Sequence, residues 1–493
     1  MAGPAVITAV APIDNHDVQG LVRHGYGHLR SAAYLLLHID QRAAARAWLG
    51  ELIYRITDAA SGHADTLINI AFTFVGLRAL GLDEEALTGF SPEFEEGLAG
   101  NPHRSRQLGD VGDSAPAQWR WGGDRAAIHA VLTVYAANDD ALKAELCTTA
   151  APPPGVRLLD TLRCSELPAK DPHPGLREHF GFRDGLSQPD VAGWHDDGPP
   201  RNRVATGEFL LGYPNAYGQL NESPRVPDGR RALPDGDFGR NGTYLVLREL
   251  EQDVAGFWSC LLTAAAGNVD EAIRLAAKMV GRWPSGMPLV LAPSADPGAP
   301  PDHNDFGYAA DDIDGTHCPL GAHIRRSNPR DAMFRTRAED PEDDPAGRVA
   351  LSVEVSNRHR IIRRGRPYGP PLAASLQPQD LIQAAVAAAK EKVPAQNPAP
   401  AGPPRGLFFV CLNANLSRQF ELVQHTWLNN TEFVTGCPEQ DPLLGDGLNA
   451  RPSFTMQGRP LGTVTSGLTR FVHVRGGAYF FVPSLAALRY LVG

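Results

Sequence analysis

The sequence predicts an α+β fold in two similar halves, each an antiparallel sheet with peripheral helices. Three observations carry this expectation. Short runs rich in β-branched, leucine and aromatic residues alternate with stretches of helical periodicity. The same order of elements recurs from Gly242 onward. Long segments rich in Pro, Gly and Asp separate the strands and supply turns.

In chain order, "AAYLLLHID" (32–40) reads as a buried strand, and "QRAAARAWLGELIYRITDA" (41–59) spaces its apolar residues as a helix does. "TLINIAFTFVGLRALGL" (66–82) begins as a second strand. "AAIHAVLTVYA" (126–136) is a third, "NDDALKAELCTTA" (138–150) a helix capped by Asn138 or Asp139, and "GVRLLDTLRC" (155–164) a fourth. Together they make a split β-α-β sandwich of ferredoxin-like type. The plan then repeats. "GTYLVLRELEQD" (242–253) is a strand, "NVDEAIRLAAKMVGRW" (268–283) a helix, "GLFFVCLNANL" (406–416) a strand, and "RFVHVRGGAYFFVP" (470–483) a late strand pair. The long stretches 221–242, 292–316 and 338–348, with "KVPAQNPAPAGPPRG" (392–406), either cover a site or lack order. A boundary is expected within residues 215–240, where turns are dense and apolar residues few; it divides the chain into domains 1–225 and 226–493.

Composition narrows the function. A chain of 493 residues, 43% hydrophobic and 21% charged, buries more than one ordinary domain core. A formal charge of −10 with scattered arginines offers no basic surface for nucleic acid. The six cysteines are widely spaced without CxxC pairs or zinc-ligand spacing, so reduced structural thiols are expected. The first residues lack a basic leader, a long apolar core and a twin arginine, and no apolar run reaches membrane-spanning length. A cytoplasmic protein without a membrane partner, as a monomer or a homodimer, is the expectation.

Three stretches carry candidate chemistry. In "GFRDGLSQPD" (181–190), Asp184 stands between Gly181 and Gly185. The glycines either serve a turn or clear space for something bulky to approach the acid. "DGTHCPLGAHIRRSNPRD" (314–331) holds His317 and His323 among turn formers. Either is a core residue, an exposed residue or a metal ligand; an imidazole binds iron well when its second nitrogen donates to a carboxylate or carbonyl. "SNRHRIIRRGRPYGP" (356–370) concentrates cations that form a solvated surface or turn one arginine inward at a strand end. An inward arginine stays charged and needs an anion beside it.

In this order and with these separations, the three stretches closely resemble the dye-decolorizing peroxidases. The resemblance extends to "DVQGLVRHGYGHL" (17–29), "QFELVQHTWLNN" (419–430) and "YFFVPSLAAL" (479–488), and so covers most of the chain. It implies two ferredoxin-like domains, one haem b (iron protoporphyrin IX) per chain held mainly by the second, and oxidation of bulky aromatics by hydrogen peroxide through a ferryl intermediate. By matching motifs it makes His323 the proximal iron ligand and Asp184 the distal acid, with Gly185 beside the haem and Arg363 as the distal cation. Arg364 and Arg360 are the alternatives to Arg363. Glu421 resembles a late acidic position that accepts from His323, its competing reading being an exposed helix acid.

His323 and Arg363 stand 40 positions apart (363 − 323), more than in shorter members, with "RAEDPEDDPAGRVAL" (337–351) as an acidic insertion. This suggests a larger subclass. The insertion covers a channel or lies on the surface, and acidic loops of this kind make manganese(II) a candidate donor beside dyes and phenolic compounds. Two other functions compete: a haem-binding or haem-handling protein without turnover, and an interaction protein without redox chemistry. The Asp184–Arg363 pair argues against the first, because peroxide cleavage needs a proton shuttle and a fixed cation; the second predicts no haem in the purified protein, which an absorption spectrum separates.

Overall fold

The computed structural model describes residues 12–123, 125–148, 151–165, 167, 177–227, 233–298, 304–334, 344–391, 402–433, 438–447 and 452–493. In the first half, β1 (Ser31–Ile39), α1 (Arg42–Leu52), β2 (Thr66–Phe72), β3 (Ala130–Ala136), α2 (Asp139–Cys147) and β4 (Val156–Arg163) follow one another as read from the sequence. The strands pair antiparallel in the order β2-β3-β1-β4. This is the ferredoxin-like arrangement. Successive residues of β1 face opposite sides, so Ala33, Leu35 and Leu37 enter one core while Ala32, Tyr34 and Leu36 enter another. Burial on both faces explains the continuous apolar run. Of the two proposed caps of α2, Asn138 is the one used: its side chain accepts from the Ala141 amide at 2.9 Å.

The second half comprises β5 (Thr243–Gln252), α3 (Val254–Ala264), α4 (Val269–Val280), α5 (His323–Ser327), α6 (Pro345–Asn357), β6 (Ile362–Arg363), β7 (Arg366–Tyr368), α7 (Pro378–Glu391), β8 (Gly406–Asn413), β9 (Val472–Val482) and α8 (Leu485–Val492). Its order, β7-β8-β5-β9, repeats that of the first half, and β6 pairs farther along β8. The Phe481–Phe72 pair joins β9 to β2, so the two sheets run into one.

Some elements differ from expectation. The late strand pair is a single strand, β9, with a bulge between Val474 and Gly476. Its glycines suggest a turn in the sequence, yet a Cβ on Gly476 would come within 2.4 Å of the Trp121 indole, so this glycine makes room for packing. Part of the acidic insertion is helical: α6 starts after Asp344, whose side chain accepts from the Gly347 amide at 3.0 Å. Residues 335–343, with the rest of the insertion, lie outside the described residues. Among the described residues no helix is long and apolar enough to cross a membrane.

Candidate active site

The second half and the Asp184 loop line a cavity of about 290 Å³, open to solvent, between the sheet, α4, α5 and two loops. Asp184, His323 and Arg363 all line it. Its walls are largely apolar, with Phe180 and Phe182 from the Asp184 loop, Phe409 from β8 and Phe420 from a helical stretch after it.

The Asp184 loop is held by arginines. Asp184 Oδ1 accepts from the Gly185 amide at 2.6 Å and from Arg363 Nη1 at 3.3 Å. Arg363 sits on β6, donates through its second Nη to the Leu186 carbonyl, and donates its backbone amide to Gln188 Oε1 at 3.0 Å. Ser187 adopts φ +64°, a conformation uncommon for a residue with a Cβ. Arg330 and Arg360 hold it there, by bonds of 3.0 Å to the Ser187 hydroxyl and 3.1 Å to its carbonyl. Arg364 turns away and donates to the carbonyls of Leu21, Val22 and Arg23. Arg360 lines the cavity but is spent on Ser187 and Asn202, so of the three arginines Arg363 is the one paired with the acid.

The two glycines divide the roles proposed for them. A Cβ on Gly181 (φ +95°) would lie 2.7 Å from the Leu376 carbonyl, so Gly181 serves packing of its own loop. Gly185 (φ +78°) meets nothing within 4 Å and is needed for its backbone angle; its neighbours Asp184 and Leu186 line the cavity.

Across the cavity, His323 opens the short helix α5. Its Nδ1 lies 2.9 Å from Asp441 Oδ2. Asp441 is buried, and its Oδ1 accepts from the amides of Leu443 and Leu444 at 2.9 and 2.7 Å. Burial would raise this carboxyl, but His323, the Leu444 amide and Arg326 outweigh it and hold the group below its ordinary value. The carboxylate fixes the imidazole tautomer and leaves Nε2 for a ligand. Glu421, the expected acceptor, is elsewhere engaged: it takes the Tyr479 hydroxyl at 2.8 Å and pairs with Arg104 at 3.0 Å. Asp441 therefore replaces Glu421 as the partner of His323. Its sequence signal is faint, an acid before Pro442 and two leucines whose amides it caps. His317 does not line the cavity; its amide donates to Asp312 at 2.8 Å.

The comparisons with known proteins agree in both sequence and fold. The chain is 30% identical to a dye-decolorizing peroxidase of Exidia glandulosa over 98% of this chain and 89% of that protein. The chain belongs to the dye-decolorizing peroxidase family. It is likewise 30% identical to peroxidase 2 of Mycetinis scorodonius, over 86% of this chain and 76% of that one. An ancestral D-type dye-decolorizing peroxidase superimposes with a TM-score of 0.75 at 27% identity, covering 98% of this chain and 100% of the other. A dye-decolorizing peroxidase in complex with 2,6-dimethoxyphenol does so at 0.74 and 26%. No family model matches. This member of the dye-decolorizing peroxidases is thus a peroxidase, and proteins of the family are haem enzymes.

The cavity of this peroxidase fits such a group. It offers one imidazole oriented by a buried carboxylate and broad apolar walls. It also holds an acid that motif reading passed over. Glu178 lines the cavity, and burial pushes its carboxyl up to about 7 against hydrogen bonds from Phe180, Gln252 and Phe182 that lower it.

Proposed function

We propose that His323 would hold the iron of one haem b per chain, and that Asp184 and Arg363 activate hydrogen peroxide for the oxidation of dyes and phenolic compounds. The observation that carries the reading is convergence: the Asp184–Arg363 pair and the His323–Asp441 pair come from separate parts of the chain and line or abut one cavity. Haem bound through His323 would supply the two-electron reduction of peroxide. Asp184 Oδ1 is occupied by Gly185 and Arg363, which leaves Oδ2 to take a proton from one peroxide oxygen and return it to the other. Both protons then sit on one oxygen, the form in which it can leave as water. Arg363 stabilises the negative charge that develops as the oxygen–oxygen bond lengthens. Asp441 keeps the His323 tautomer fixed and the imidazole electron-rich. Residues 335–343, most of the acidic run that made manganese(II) a candidate, lie outside the described residues, and the proposal is confined to aromatic donors.

An absorption spectrum of the purified protein before and after peroxide tests this reading. Histidine-ligated ferric haem that changes on adding peroxide supports it. Protein purified without haem, or haem indifferent to peroxide, overturns it.

A further inference from the structure

Two imidazoles meet at one end of the first sheet, and neither lines the cavity. His38 is the last residue but one of β1, and His129 directly precedes β3. Their rings stack with centroids 4.0 Å apart and planes inclined by 24°. Each ring ties its own strand to the other. The Ile39 amide donates to His129 Nδ1 at 3.0 Å, and His38 Nδ1 lies 2.7 Å from the Ala127 carbonyl. A carbonyl only accepts, so His38 carries its proton on Nδ1; an amide only donates, so His129 Nδ1 carries none. The backbone sets both tautomers.

The two rings meet acid unequally. A second proton on His38 goes to Nε2, which lies 3.6 Å from Asp40 Oδ1, and no existing bond is lost. A second proton on His129 goes to Nδ1, where it opposes the Ile39 N–H and adds a cation against the stacked ring. The elements packed around His129 bring it no relief. The helix Phe74–Leu80 meets it through backbone: the His129 carbonyl accepts from the Thr73 amide at 3.0 Å, and a Cβ on Gly76 would run into that oxygen. The one charge of this helix, Arg78, pairs with Glu84. β3 carries no charged side chain, and Arg125, in the segment before it, donates to the Trp119 carbonyl at 2.7 Å. β4 supplies a further cation, Arg157, bonded to Asp40 at 3.2 and 3.4 Å. Burial above all, then His38 and Arg157, push the His129 imidazole down to about 4 against the pull of Asp40.

From this geometry we infer that His38 and His129 form an acid-released clasp: a proton on His129 breaks its bond to the Ile39 amide, and the end of β1 parts from the segment entering β3. In the open clasp His129 is free to titrate near its ordinary value of about 6.5, and in the closed one it titrates at about 4. Proton binding therefore favours the open form as pH falls between these values, and the effect is level below the lower one, where both forms are charged. Asp40 does not share this window. Its bond to Arg157 holds its carboxyl below the ordinary value, so it stays ionised across the window.

Hydrogen exchange of the full chain as purified tests the clasp, read by mass spectrometry on peptides containing Ile39 and corrected for the intrinsic chemical rate. Read locally, the opening is separate from titrations elsewhere in the fold. Between about pH 7 and pH 4 it should rise by on the order of 10²-fold in the parent, while a peptide from β8 stays level. His129→Asn keeps an oxygen able to accept the Ile39 amide and has no proton to gain, so its strand end should stay closed across the same range. No rise in the parent, or an equal rise in His129→Asn, would overturn the inference. An equal rise in every peptide would overturn it as well, since that is acid unfolding of the whole protein. If His129→Asn does not fold, the parent's profile decides by itself: a rise confined to the strand end that levels near pH 4 supports the clasp, and one that keeps climbing below it counts against it.

Discussion

His323 Nδ1 and Asp441 Oδ2 lie 2.9 Å apart although 118 positions separate them in the chain. The carboxylate is fully buried and held by two backbone amides, so the imidazole meets a fixed acceptor. Asp441→Asn should weaken haem retention by about 10–100-fold, measured by transfer of haem to an excess of apomyoglobin. Glu421→Gln should leave retention at the parental value, because Glu421 is bound to Tyr479 and Arg104. The reverse ranking would return Glu421 to the role that the sequence assigned it.

Asp184 and Arg363 divide the labour of peroxide activation. Asp184→Asn keeps the side-chain shape and loses the proton acceptor; Arg363→Leu loses the fixed cation. Each should slow the peroxide-dependent change in haem absorption by on the order of 10²–10³-fold in stopped-flow mixing. The resting spectrum should survive in both, since neither residue is bonded to His323 or Asp441. Parental rates in both variants would remove the pair from the reaction and leave "GFRDG" as a turn.

Arg364, adjacent in sequence to Arg363, should behave differently. Its guanidinium satisfies three backbone carbonyls near the start of the chain. Arg364→Met should lower unfolding stability by roughly 3 kcal/mol in a denaturant titration, as buried acceptors lose their donor. Its peroxide step should stay within about twofold of the parent, where a distal cation would show the loss expected of Arg363.

Glu178 gives a pH dependence with a definite sign. Its folded carboxyl titrates at about 7, above the unfolded value of about 4.3. Between those values the unfolded state loses the proton first, so stability falls as pH rises through the window and is level above it. The whole fall is at most on the order of 3–4 kcal/mol, because a proton held one pH unit more tightly by the folded chain is worth about 1.4 kcal/mol. Denaturation of parent and Glu178→Gln at a series of pH values should show this slope in the parent alone. Parallel curves would mean that Glu178 is ionised throughout.

Much of the site was legible because short motifs carry their chemistry locally. Asp184 with its glycines, His323 in "CPLGAHIRRSNPRD" and Arg363 before Gly365 were singled out together, by the order and separation of three stretches that resemble one family. The partner of His323 was misplaced because Glu421 and Asp441 are both acids late in the chain, and proximity to a distant ring leaves no periodic trace. Glu178 and Gln252 escaped for a related reason. One lies in a loop and the other at the end of β5, and they meet only once the loop folds against the strand.

The sequence by itself determined the α+β class, the paired halves, the ordered motifs and the separation of strands by turn-rich loops, all of which follow from hydrophobic period and backbone preference. Tertiary structure decided which of the neighbouring arginines meets Asp184, which acid meets His323, and that Gly476 yields to Trp121 rather than turning the chain. Guanidiniums so close in sequence have nearly the same intrinsic chemistry. What separates Arg363 from Arg360 and Arg364 is the direction each side chain leaves the backbone and the acceptor it finds there, and those acceptors come from parts of the chain that only folding brings together.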